Sequence, residues 1–245
     1  MNSDHTKDTL YSVPQHPVSD FVFDDRVATV FPDMIRRSVP GYATVVGLMG
    51  LIAGEYAQPD SRLYDLGCSL GAVTLAMRRR IDRPGCRIVA VDNSAAMVER
   101  CREHIDADQA PTPVELVCAD LRDVTVEQAS VVAMNFTLQF IEPAQRLPLL
   151  QRIHDGLLPG GVLVVAEKIA FADPAEQALQ ETLHLDFKRA NGYSELEISQ
   201  KRASLEKVLV PESMEQHLQR LRAAGFSRAH RWFQAFNFAA VIAVK

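Results

Sequence analysis

The feature that most constrains this chain is residues 62–71 read together with residues 87–93. A short apolar step, Leu63-Tyr64, leads into Asp65-Leu66-Gly67-Cys68-Ser69-Leu70-Gly71 and then Ala72-Val73-Thr74-Leu75-Ala76-Met77. That is a buried strand, a tight glycine-bearing turn and a helix. The next apolar run, Ile88-Val89-Ala90-Val91, ends on Asp92. Strand, turn, helix, strand and a terminal acid make one nucleotide-binding half of a doubly wound sheet. Glycines in such a turn let the backbone approach a ligand and let the helix start close to the strand. Asp92 stands 21 residues past Gly71, where a carboxylate takes both hydroxyls of a ribose.

The turn is not built for a pyrophosphate. A G-x-G-x-x-G places three glycines around phosphate at a helix N-terminus. Here there are two, Gly67 and Gly71, with Asp65 two residues ahead of the first. A carboxylate there repels phosphate and suits a cation. The D-x-G-x-x-x-G pattern with Asp92 resembles the S-adenosylmethionine (SAM) site of class I methyltransferases, with Ser69 where those turns usually carry another glycine. The plain alternative is a strand–turn–helix without a ligand.

A chain of 245 residues with 47% apolar content suits one large α/β domain with extensions. No apolar run approaches the ~20 residues needed to cross a bilayer, so no membrane role is expected. The polar start, residues 1–16, lacks a signal-peptide layout. Cys68, Cys86, Cys101 and Cys118 have no C-x-x-C spacing, and the seven histidines form no H-E-x-x-H pair. Reduced thiols in a cytoplasmic protein without a metal are expected. The net charge of -5 argues against direct nucleic-acid binding, which is dominated by phosphate neutralisation.

In chain order, residues 1–20 read as a flexible lead and 21–245 as a single SAM-binding domain. Residues 21–57 form a helical cap broken by Pro32 and Pro40-Gly41, with a helix over 42–52 laid across the mouth of the sheet. Strands are expected at 62–65, 86–92, 114–119, 130–136 and 162–166, with helices at 71–81, 95–105 and 143–157 between them. A helical insertion follows at 167–209: Asp173-Pro174 starts one helix, Gly192 ends it, and Ser194 with Glu197 forms the capping box of the next. Pro211 starts a last helix, and 228–236 with 238–244 form a terminal strand pair. The fold class is α/β: a Rossmann-like, doubly wound, mostly parallel seven-stranded sheet with ligands at the strand C-termini.

Those termini carry the candidate site. Asp92 is assigned to the ribose. Asp120, ending strand three, faces the adenine amino group or caps a turn. Asn135, ending strand four, lies near the amino-acid portion or satisfies turn backbone. In the insertion, His184, Lys188, Arg189, Lys201 and Arg202 are either a solvated face or a cation cluster over the ligand mouth for an anionic second substrate.

More than the fold then matches. Phe31-Pro32-Asp33-Met34-Ile35, Arg37-Ser38-Val39-Pro40-Gly41-Tyr42, the 64–71 turn, Asp92-Asn93-Ser94, Asn135-Phe136-Thr137-Leu138-Gln139-Phe140 and residues 186–202 resemble carboxy-S-adenosyl-L-methionine synthase. The resemblance covers nearly everything after residue 20, and Ser69 agrees with that family's turn. It implies conversion of SAM and prephenate to carboxy-SAM and phenylpyruvate, with no methyl transfer. It implies that the product feeds a separate tRNA carboxymethyltransferase acting on wobble uridine, and that the protein is a homodimer. Carried over by motif, Tyr42, Gly67, Cys68, Ser69, Asp92, Asn93, Asp120, Leu121, Asn135 and Arg202 surround the ligand. Arg202 balances the new carboxylate as the catalytic residue, and the homodimer allows it to reach the site from the neighbouring chain. Two other readings stay open: a methyltransferase for a small acid or RNA, and a catalytically silent SAM-binding partner of a tRNA-modifying enzyme.

Overall fold

The computed structural model describes residues 6–206 and 208–245. Its sheet contains β1 (Arg62–Leu66), β2 (Arg87–Asp92), β3 (Val114–Cys118), β4 (Ala129–Asn135), β5 (Leu157–Ala170), β7 (Arg228–Ala235) and β8 (Phe238–Val244). The order is β3-β2-β1-β4-β5-β8-β7, with β8 antiparallel to both neighbours and the first five strands parallel. This is the expected seven-stranded sheet. A two-residue β6 (Glu212–Ser213) adds to the end of β5.

Helices cover both faces, which is why β1 and β4 are almost continuously buried. Alternation along a strand divides the core. Val131 and Ala133 of β4, with Val162 and Val164 of β5, pack under α2 (Tyr42–Tyr56) and α3 (Ala72–Arg78). Val132 and Met134, with Leu163 and Val165, face α5 (Pro143–Gly156) and α8 (Met214–Ala223). Between β2 and β3 runs α4 (Ala95–Ala107), N-capped by Ser94 as expected.

Over the strand C-termini sit α1 (Asp25–Ser38), α6 (Pro174–Ala190) and α7 (Glu195–Leu205). The Ser194–Glu197 capping box is present, and Gly192 follows α6 at φ 82. Several expectations are corrected. Pro32 does not break α1, which runs through it. Helix α2 lies on the sheet face, where Val45, Met49 and Ala53 meet the core, and α1 takes the place over the mouth. Strand β5 continues four residues past Ala166, because Glu167 and Lys168 still pair with Ala239 and Phe238 of β8 and Ile169 pairs with β6. The insertion therefore starts later, and α8 starts at Met214 after a Ser213–Gln216 capping box.

The lead is corrected as well. Residues 1–5 lie outside the described residues, but the rest of the segment is tied down. Asp8 is buried: its N–H donates to Asp33 (2.9 Å), its carboxylate accepts from the Tyr193 hydroxyl (2.5 Å), and Lys201 Nζ lies 3.5 Å away. Tyr11 donates to Ser204, and Gln15 pairs with Gln200. This strap holds α7 against α1.

Candidate functional site

A cavity of about 780 Å³ opens at the C-terminal ends of β1, β2, β4 and β5. That volume suits a small-molecule ligand with room to spare. The β1–α3 turn forms its floor. Gly67 (φ 84) must be glycine, because a Cβ there would sit 2.3 Å from Thr137 Oγ1. Gly67 and Cys68 both donate their N–H to the Val91 carbonyl, joining the turn to β2. Ser69 takes a left-handed φ of 50, and its N–H donates to Asp92 Oδ2 at 2.9 Å. Asp92 Oδ1 accepts from Ser94 N–H at 2.9 Å, and burial pushes the carboxyl up from its ordinary value.

Two buried oxygens of cavity-lining residues, Asp65 Oδ1 and Asn135 Oδ1, have no hydrogen-bond partner among the described residues. Asp65 Oδ2 accepts from Thr74 Oγ1 at 2.6 Å, yet burial still raises the Asp65 pKa to about 6. Orphaned buried acceptors demand a ligand donor, and the ammonium of SAM is one. The residues present therefore fit SAM. Phe136, next to Asn135, sits at φ 60 and stacks on Tyr42, ring centroids 6.2 Å apart. Burial pushes the Tyr42 phenol well above its usual range. Cys68 is likewise pushed up, by the Cys101 thiol beside it and by burial, so it lines the site as a neutral thiol.

Asn93, Asp120 and Leu121 border the cavity at the β2 and β3 ends. Asp120 is gripped by Arg122 at 2.9 and 2.5 Å, which holds its carboxyl below the usual range. The wall built by α6 and α7 carries Lys188, Lys201 and Arg202 beside Glu181 and Glu206. Helical spacing puts Glu181, His184, Leu185 and Lys188 of α6 on one cavity face, and Ile198, Lys201, Arg202 and Leu205 of α7 on another. His184 Nε2 donates to the Ser38 carbonyl (2.9 Å), and burial drops the ring to about 3, so it stays neutral.

Every residue carried over from the resemblance lines this one cavity, Arg202 within its own chain, as do Lys188 and Lys201. Arg189 does not: it is exposed and pairs with Asp186 and Glu195. The reading of residues missed Lys168, which β5 carries into the mouth, and Arg122. Lys168 follows the last apolar residues of a core strand, and that position was the available signal. Glu167, also missed, is fully buried and pushed up to about 8. Its oxygens accept the N–H groups of Leu138 and Gln139 at 2.9 Å and fix the loop after β4. Among the described residues no group of three His, Cys, Asp or Glu is placed to hold a metal, and no helix is long and apolar enough to cross a membrane.

Fold and site together define a class I SAM-dependent, methyltransferase-type α/β domain. The family described as "Methyltransferase domain" matches residues 63–161. An O-methyltransferase family protein of known structure from Burkholderia thailandensis superposes with a TM-score of 0.63 at 20% identity. It is covered over 91% of this chain and 60% of its own, a likeness of fold alone. Curated relatives are far nearer. The carboxy-S-adenosyl-L-methionine synthase of Geobacter metallireducens is 60% identical over 98% of this chain and 99% of its own. That of Klebsiella pneumoniae (strain 342) is 57% identical over 98% and 97%. The chain belongs to the carboxy-S-adenosyl-L-methionine synthase family and is an enzyme.

Proposed function

We propose that the enzyme converts SAM and prephenate to carboxy-SAM and phenylpyruvate. The observation that carries this reading is the division of one cavity. Orphaned acceptors, Asp65 and Asn135, stand on one side, and the cations Lys168, Lys188 and Arg202 on the other. SAM carries a net positive charge, so the cationic half calls for an anionic co-substrate.

SAM is consumed and is therefore a substrate. Its sulfonium acidifies the methyl group. As prephenate aromatises it loses carbon dioxide and hydroxide. The methyl proton and the hydroxide make water, and the methyl carbon attacks carbon dioxide to give the new carboxylate. No protein base is required for this balance. The chain contributes position, exclusion of water and charge. Arg202 takes the carboxylate as it forms.

The product then serves a separate tRNA carboxymethyltransferase at wobble uridine. The net charge of -5 favours a protein that need not itself hold RNA. Four free cysteines suit a reducing compartment, here assigned as the cytoplasm. A homodimer is supported by α2, whose residues carry no charge before Glu55 and which leaves Ala43, Gly47 and Leu51 exposed in the single chain.

Mass spectrometry of a reaction with SAM and prephenate labelled in its ring carboxylate tests the assignment. Carboxy-SAM should form, carrying the label, with this protein alone. S-adenosylhomocysteine formed from an added acceptor would establish methyl transfer instead, and turnover only with a partner would favour a binding role.

A further inference from the structure

Lys188 is the least explained charge in the molecule. It is only 8% exposed, lines the cavity, and its ammonium makes no hydrogen bond or ion pair among the described residues. The groups facing it deepen the problem. Lys168 on β5 and Lys201 and Arg202 on α7 are cations, and His184 one turn away is neutral. Lys201 has Asp8 at 3.5 Å, and Lys168 lies in the field of Glu181. Glu181 and Glu206 also line the cavity, but among the described residues the charges that act on Lys188 are all cations. A buried ammonium without a counter-charge is costly and is retained where a ligand supplies one.

SAM brings one carboxylate against an ammonium and a sulfonium, so binding it leaves this cluster with still more net positive charge. Arg202 is committed to the carboxylate that forms. Two cations, Lys168 and Lys188, remain for the co-substrate. Ion pairing stabilises a carboxylate against losing carbon dioxide, so a paired carboxylate is the one that survives the reaction.

Resting on the reading above, we propose that Lys188 and Lys168 form the subsite for the 2-oxo-carboxylate that prephenate retains in phenylpyruvate, leaving its ring carboxylate unpaired and directed toward SAM. Specificity for a dianion then comes from this subsite, separate from the acids and glycines that hold SAM. Burial and the cations Lys201, Lys168 and Arg202 lower Lys188 to about 7. A bound carboxylate restores the charge, so binding near neutral pH takes up protons.

The test is Lys188→Met, which keeps the length of the side chain and removes its charge. The KM for prephenate should rise roughly 10- to 100-fold, while SAM affinity stays within about twofold and the melting temperature of the empty protein does not fall. Lys168→Gln should move KM in the same direction, which keeps the proposal testable if the first variant misfolds. Calorimetry of malonate binding to the SAM-loaded wild type, in buffers of different ionisation enthalpy, should show proton uptake that Lys188→Met abolishes. Unchanged KM, equal weakening of SAM, or a lowered melting temperature with unchanged KM would overturn the subsite. A wild type that binds malonate in a Lys188-dependent way but does not turn over prephenate would overturn the proposed reaction and leave the anion subsite standing. Absence of lysine-dependent malonate binding with normal prephenate turnover would do the reverse.

Discussion

Asp65 shows how one side chain sets the chemistry of its surroundings. Burial holds it near 6, above its ordinary value of 3.8. A raised acid stabilises the empty fold fully below the lower value, and that contribution is lost as pH rises through about 6. The SAM ammonium needs the ionised form. SAM affinity should therefore fall as pH drops through about 6, and Asp65→Asn should weaken SAM and flatten that profile in equilibrium titrations. Arg202 supplies a second prediction. It lines the cavity, is exposed in the single chain, and has no side-chain partner among the described residues. Arg202→Ala should cost carboxy-SAM about 2 kcal/mol of binding, roughly thirtyfold, with little change for SAM. Equal weakening of both ligands would remove the arginine from the product carboxylate.

The joint between α6 and α7 sets where the cations point. Gly192 N–H donates to the Arg189 carbonyl (2.9 Å) and Tyr193 N–H to that of Lys188 (3.1 Å), closing the end of α6. Arg37 stacks on the Tyr193 ring at 3.8 Å and donates to the Asn191 carbonyl (2.7 Å), fixing the bend. A Cβ on Gly192 would meet only Arg37, at an ordinary 3.6 Å, so its cost lies in the positive φ. Gly192→Ala should cost about 1 kcal/mol and about 2–4 °C in melting temperature. Prephenate KM should rise while SAM affinity holds. Elements of this kind were legible because their signals are local: the apolar runs of β1 to β4, the Gly67 and Gly71 turn, the Ser194–Glu197 capping box. The continuation of β5 was not, because Glu167 and Lys168 end the apolar run, and only pairing with β8 and the backbone donors of Leu138 and Gln139 keep that stretch in the sheet. Helix α1 packs Ala28, Val30 and Met34 in a cluster with Leu70 and Met97, and the strap at Asp8 meets Tyr193, so both rest on distant parts of the chain.

The molecule as a whole is acidic, yet its cavity holds a cationic wall. Such a wall focuses field locally, and that attraction is screened by salt. The kcat/KM for prephenate should fall as ionic strength rises from 10 to about 200 mM, a range in which SAM binding changes less. A flat response would mean that the cavity's field does not reach the incoming dianion. The strap at Asp8 also bears on the order in which the chain is made. Asp8 meets Tyr193, 185 residues further along, so its carboxyl waits through most of synthesis for that partner. Contacts of such separation form late, after the loop between them has been closed by other structure. Apart from Tyr42, the residues proposed for SAM fall between 65 and 135, whereas Lys168, Lys188 and Arg202 come after them. A nascent chain thus acquires the turn and acids proposed for SAM before the cations proposed for its co-substrate, and the strap is tied once both are present.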